Sequence, residues 1–183
     1  MEEYAYILDN MPQSSGFGKK EPLCYAIGES EFKLFELVPK AGAIVNIGDR
    51  VYIGKDVEGK KRDVIDHVKR RIKYTDLSGT AVTELDYTLT DIVVANQAKF
   101  IRFFNESQAI SLRKHALQEL PKLGTAARDA ILAERQKAPF KDFADMSARL
   151  DPKKVKNPEK YIVERIKLEI SDPERKHYLF VSQ

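Results

Sequence analysis

The residues whose types and spacing point most directly to chemistry are Leu120-Pro121-Lys122-Leu123-Gly124-Thr125. Leu112, Ala116, Leu117 and Leu120 recur at the spacing of one helix face, and Pro121 ends that helix. Lys122 to Gly124 turn the chain, with Gly124 supplying the backbone freedom of a sharp turn. Thr125 is a suitable N-cap for a second helix, which carries Ala127, Ile131 and Leu132 on one side. The first-turn N–H groups of such a helix lack intrahelical acceptors and form the positive end of its dipole. A phosphate fits that position. The candidate phosphate-binding residues of the hairpin are therefore Lys122, Leu123, Gly124, Thr125, Ala126 and Arg128. The competing reading is a purely structural αα-hairpin with a Pro-Gly turn.

Basic residues elsewhere are segregated rather than scattered. Between Lys60 and Tyr74, seven cations (Lys60, Lys61, Arg62, Lys69, Arg70, Arg71 and Lys73) stand against Asp63 and Asp66 alone. Arg113, Lys114, Lys122 and Arg128 surround the hairpin, and a third group runs from Arg149 through Lys153, Lys154, Lys156 and Lys160 to Arg165 and Lys167. Ser78 to Ile110, by contrast, holds only Lys99 and Arg102 against four acids. A net charge of +3 announces no partner by itself. Three separate clusters, one of them on a phosphate-type hairpin, favour a polyanion. A second candidate surface combines Lys60, Lys61, His67, Lys69, Arg71 and Lys73 with Phe17, Lys19 and Lys20. Phe17 either stacks on a base or folds back as a lid, and the lysines either hold phosphate or solubilise an edge strand.

Other chemistries find little support. Gly16-Phe17-Gly18-Lys19-Lys20 is not a nucleotide-phosphate loop, because Gln13 stands where the first glycine belongs and Lys20 where a magnesium-binding hydroxyl belongs. His67, His115 and His177 are far apart, without metal-ligand spacing. Cys24 is the sole cysteine, which excludes an internal disulfide and a cysteine-based zinc site and suits a buried thiol. The acids are spread singly, without the carboxylate cluster of a two-metal nuclease. The expectation is a non-enzymatic protein with no catalytic residue, no metal and no cofactor.

The elements that must position these residues follow from the apolar patterning. Tyr4 to Leu8, Leu23 to Ile27, Phe32 to Val38 and Arg50 to Gly54 are strand-like. Val64 to Tyr74 fits a strand or a helix. The turn residues Asp56 to Gly59 before it favour a strand, with Ile65, His67, Lys69, Arg71 and Lys73 on one face. Five short strands predict an OB-like β-barrel over 1–77, whose two flanking loops are Ser14 to Lys20 and Lys55 to Lys61. A helical domain is predicted over 78–183, with a core helix over Leu89 to Phe104 and the hairpin module over 112–137. A degenerate second unit follows over 142–170, with helices near Phe143 to Leu150 and Pro158 to Ile170. His177 to Val181 is predicted to be a strand returning to a sheet edge. The fold class is thus α+β.

With 43% hydrophobic and 32% charged residues in 183, the chain has the composition of a soluble globular protein with enough length for two small cores. No apolar run approaches the ~20 residues of a membrane span, and no signal pattern opens the chain, so a cytoplasmic protein with no membrane partner is expected.

The segment Leu112 to Leu150 resembles the helix-hairpin-helix nucleic-acid-binding modules, through Leu120, Pro121, Leu123, Gly124, Ile131, Pro139, Phe140 and Phe143. In that family the hairpin amides hold a backbone phosphate without reading bases. Lys122 stands where the family usually has the first of two glycines, and Arg128 where a small residue is usual. The whole chain resembles an uncharacterised archaeal family that joins an OB-like barrel to a helix-hairpin-helix region. That resemblance rests on Gly48 to Gly54, His67 to Tyr74, Phe103-Phe104-Asn105, Leu120-Pro121, Pro139-Phe140 and Tyr178 to Val181. It implies a nucleic-acid-binding protein, and the family's tendency to be encoded near translation and ribosomal-RNA modification genes favours RNA over DNA and ribosomal or transcription components as partners. The alternatives are a protein-interaction adaptor in ribosome assembly or transcription, and a DNA-binding repair or recombination factor.

Overall fold

The computed structural model describes residues 1–11 and 21–183. Five strands form one antiparallel sheet: β1 (Tyr4–Met11), β2 (Leu23–Gly28), β3 (Leu34–Pro39), β4 (Arg50–Tyr52) and β5 (Ile65–Arg71), in the order β4-β1-β2-β3-β5. Five helices follow: α1 (Gly79–Ala95), α2 (Gln97–Glu106), α3 (Thr125–Lys137), α4 (Phe143–Arg149) and α5 (Pro158–Ser171). The α+β class is as the sequence predicts, and the ambiguous stretch before Tyr74 is a strand. Two compact units emerge, one of Met1–Thr88 with Leu168–Gln183, the other of Leu89–Lys167.

In the first unit the sheet curls into a half-barrel. Alternate residues of each strand point inward, so Ala5 and Ile7, Cys24 and Ala26, and Phe35 and Leu37 meet Val51, Ile53 and Ile65 in one apolar cluster. The curl has local causes. The β1–β2 register shifts between Ile7 and Asp9, and the β3–β5 register shifts twice. Each bulge bends its strand and adds twist. The two outer strands, β4 and β5, share no ladder, but Arg62 spans them. Its Nε donates to the Gly54 carbonyl at 2.7 Å, its Nη2 to Ile53 at 2.8 Å and its Nη1 to Asp66 at 3.3 Å.

One predicted strand is absent: His177 to Val181 forms none. The segment instead stays in the first unit because the Glu169 carboxylate, only 2% exposed, accepts the N–H groups of Leu179, Phe180 and Val181 at 2.7, 3.1 and 2.9 Å. Ser182 N–H donates to the Glu31 carbonyl. A side chain thus replaces the ladder that an edge strand would have supplied.

The predicted helix over Leu89 to Phe104 is instead two helices. α1 begins at Gly79, with the Ser78 hydroxyl capping the Ala81 N–H at 3.1 Å, and Asn96 (φ −115°, ψ 32°) separates it from α2. In the second unit Phe104 packs edge-on against Phe143, and Asn105 exchanges two hydrogen bonds with the Phe140 backbone. α4 and α5 lie where the sequence places them. Arg149 closes the end of α3, with Nη2 donating to the carbonyls of Glu134 and Ala138 and the guanidinium over the Phe140 ring.

Candidate nucleic-acid interface

The hairpin is built differently from the sequence expectation. The predicted helix from Leu112 to Leu120 does not form. Leu112 is fully exposed, and the Ser111 hydroxyl accepts the N–H groups of Arg113 and Lys114, which diverts the backbone from helical bonding. A single 3-10 turn, Ala116–Glu119, then leads into Pro121. His115 caps this turn: its Nδ1 accepts the Leu117 N–H at 3.0 Å, and burial together with Arg135 and Arg128 holds its pKa below the ordinary histidine value. The turn is buttressed from α5, where the almost fully buried Arg165 donates to the Glu119 carbonyl at 3.0 Å.

At the tip, the residue with positive φ is Lys122 (φ 63°), and Gly124 is ordinary extended backbone (φ −85°, ψ −178°). The conformational demand expected of Gly124 therefore falls two residues earlier, on a lysine. Gly124, and not Thr125, is the N-cap of α3, and it offers no side-chain acceptor. The first turn of α3 contains no acid. Leu123 is buried and anchors the tip, while Lys122, Gly124, Thr125 and Ala126 are exposed. Arg128 is turned to Asp129 and to Gln118 Oε1 at 2.9 and 3.2 Å, so it braces the hairpin. Among the described residues Lys122 has no hydrogen bond or ion pair. The hairpin therefore presents a cation beside first-turn N–H groups that no side chain caps, the arrangement that accepts an oxyanion.

On the sheet, the bulges overturn the expected alignment of Ile65, His67, Lys69, Arg71 and Lys73. In the β3–β5 register Arg71 lies opposite Phe35, Arg70 opposite Glu36, Val68 opposite Leu37 and His67 opposite Val38, with Lys69 skipped. Paired residues share a face, so Arg71 falls on the face of Phe35 and Leu37 while His67 and Arg70 take the other. Several predicted cations are already engaged. Lys60 lies 3.1 Å from Glu3, which holds its ammonium above the ordinary lysine range, and Lys69 lies 3.3 Å from Glu21. His67 Nδ1 is 2.7 Å from Asp66. Lys61, Arg71 and Lys73 are exposed and their side chains have no ion pair or hydrogen bond among the described residues. Phe17, Lys19 and Lys20 lie outside the described residues.

Sequence reasoning missed the surroundings of Arg71 and Lys73. Both line a cleft of about 620 Å³ in the first unit, together with Tyr74, Tyr178 and Ile170. Only the return of the segment after α5 creates it, and no local pattern announces that return. Cys24 is buried as expected, and burial pushes its thiol up to about 11. Among the described residues no cluster of His, Cys, Asp and Glu is placed to hold a metal ion, and no helix is long and apolar enough to cross a membrane.

Fold and surface together define a class of α+β protein: a curled five-stranded antiparallel sheet with five helices and exposed cations at a strand end and a hairpin tip. The chain belongs to the family described as protein of unknown function (DUF655), whose model matches residues 1–182. It is 40% identical over 181 residues to the uncharacterized protein MJ0038 of Methanocaldococcus jannaschii, covering 98% of this chain and 80% of that protein. The crystal structure of Af1531 from Archaeoglobus fulgidus superposes with a TM-score of 0.88 at 40% identity, covering 99% of this chain and all of that one.

Proposed function

We propose that this protein binds nucleic acid, RNA in preference to DNA, through its phosphate backbone and without catalysing a reaction on it. The observation that carries the reading is the hairpin tip, where Lys122, without a partner among the described residues, adjoins the uncapped, acid-free first turn of α3. Contacts of this kind recognise phosphate and carry no base information. Arg71 and Lys73 supply a second point of attachment, at the end of β5. The sheet order β4-β1-β2-β3-β5, with its outer strands bridged by Arg62, supports an open Greek-key barrel of the OB type, an architecture whose face and loops commonly carry a single strand. Residues 112–137 then act as a variant helix-hairpin-helix clamp in which a 3-10 turn replaces the first helix. Ribosomal or transcription components are the partners this reading favours.

A protein-interaction adaptor is the second reading, favoured by the exposed Ile110 and Leu112 in the loop before the hairpin. Competition binding separates the two. Labelled single-stranded RNA is titrated with protein at low salt and displaced with structured RNA or duplex DNA. Micromolar or tighter binding, displaced least by duplex DNA, is expected. Absence of binding by all three leaves the adaptor.

A further inference from the structure

The cleft beside β5 has a composition that phosphate binding alone does not require. Its volume of about 620 Å³ falls within the roughly 300–1,000 Å³ typical of small-molecule sites. Phe32, Leu34, Ile72 and Ile170 give it apolar lining, and Tyr74 and Tyr178 stand half-buried in its wall. Among the described residues neither tyrosine hydroxyl has a hydrogen-bond partner. The acids of the lining are occupied: Glu169 holds three N–H groups of the following segment, and Asp172 accepts the Glu174 N–H and lies 3.7 Å from Arg175. Lys33 is paired with Glu31. Arg71 and Lys73 are the cationic side chains of the lining that have no ion pair or hydrogen bond among the described residues.

A ligand that uses all of these groups has an anion, a flat ring to lie on tyrosine, and edge donors or acceptors for the two hydroxyls. An inorganic anion would leave the apolar lining and both rings unused, and an aliphatic acid would leave the hydroxyls unmatched. A nucleotide meets each requirement. We propose that this cleft receives one unpaired nucleotide of a bound strand, its base against the tyrosine-lined wall and its phosphate on Arg71 and Lys73. The proposal rests on the nucleic-acid reading and adds to it a site for a single splayed base, a mode suited to single strands, loops and ends.

The test uses a single-stranded RNA dodecamer with 2-aminopurine at one end or in the middle, and 2-aminopurine mononucleotide as a separate ligand. The chain has no tryptophan, so emission reports the probe alone. Two variants address the cleft: Tyr178→Ala removes a stacking surface, and Ser182→Leu places non-fluorescent bulk at an exposed position of the lining. Circular dichroism melts verify that each is folded. Binding is expected to change the 2-aminopurine emission several-fold. Both variants are expected to remove that change and weaken affinity about tenfold, while residual salt-dependent binding persists through Lys122. RNA that binds with unchanged emission at either label position, or an emission change that survives Ser182→Leu, overturns the proposal and leaves the nucleic-acid reading intact. Mononucleotide binding without strand binding overturns the strand as the source of the nucleotide. Failure of both ligands to bind removes the underlying reading and this proposal with it.

Discussion

Arg70 grips Glu36 across the β3–β5 pair with both arms of its guanidinium, Nε to Oε2 at 2.9 Å and Nη2 to Oε1 at 2.8 Å, whereas its neighbour Arg71 has no such partner among the described residues. Glu36 is 5% exposed, so losing Arg70 strands a buried carboxylate. Arg70→Gln is therefore expected to lower the melting temperature, and Arg71→Gln to leave it unchanged. In RNA titrations the order reverses: Arg71→Gln makes the log-log salt slope shallower by about 0.7, one phosphate contact on a single strand. Melts and salt titrations of the two variants check this directly.

Lys122 separates stability from binding at the hairpin. A non-glycine residue in the left-handed region costs about 1–2 kcal/mol, part of which glycine returns as backbone entropy. Lys122→Gly is expected to stabilise the fold by about 0.5–1 kcal/mol in urea unfolding while weakening RNA binding. Equal loss of stability and affinity would show that the lysine side chain is structural.

Glu169 holds the C-terminal segment in place of strand pairing. Glutamine at this site offers a single acceptor oxygen to the N–H groups of Leu179, Phe180 and Val181. Glu169→Gln is expected to cost about 2–3 kcal/mol. It should also raise hydrogen exchange at residues 179–181, measurable by mass spectrometry, ahead of exchange in the β1–β2 ladder.

His115 gives the fold a pH dependence of definite sign. Its folded pKa lies below the ordinary 6.5 because the ring is buried and faces Arg135 and Arg128, and the neutral Nδ1 accepts the Leu117 N–H. The unfolded chain therefore binds a proton near pH 6.5 that the folded chain refuses. Its contribution is complete above that pH, falls as pH drops through the lowered folded value, and levels off below it. His115→Asn keeps a capping oxygen without titrating. It should remove up to about 1.4 kcal/mol per pH unit from the slope of urea-unfolding stability just below pH 6.5.

Much of the architecture was legible in the sequence because it rests on short-range patterning. The five strands, α4, α5 and the buried Cys24 follow from apolar spacing and turn residues. Three features were not legible, each for a physical reason. Ser111 competes for backbone N–H groups and dissolves the helix before Pro121. The bulge at Lys69 breaks the period of two on which the assignment of faces to β5 depended, so Arg71 parted from His67. Glu169 substitutes for a ladder at 177–181, a long-range contact that strand periodicity mimics. On the candidate site, the hairpin tip was found from Pro121 and Gly124, but Lys122 as its left-handed residue was not, since propensity places a glycine there.

The central claim is that two separate cationic points hold a phosphate backbone. It is tested most directly by fluorescence anisotropy of single-stranded RNA across a salt series, with the native protein, Lys122→Glu, and the double variant Arg71→Gln, Lys73→Gln. The account predicts a steep fall of affinity with salt, and a weaker and shallower dependence for each variant. Absence of binding at low salt, or binding that neither variant weakens, would contradict it.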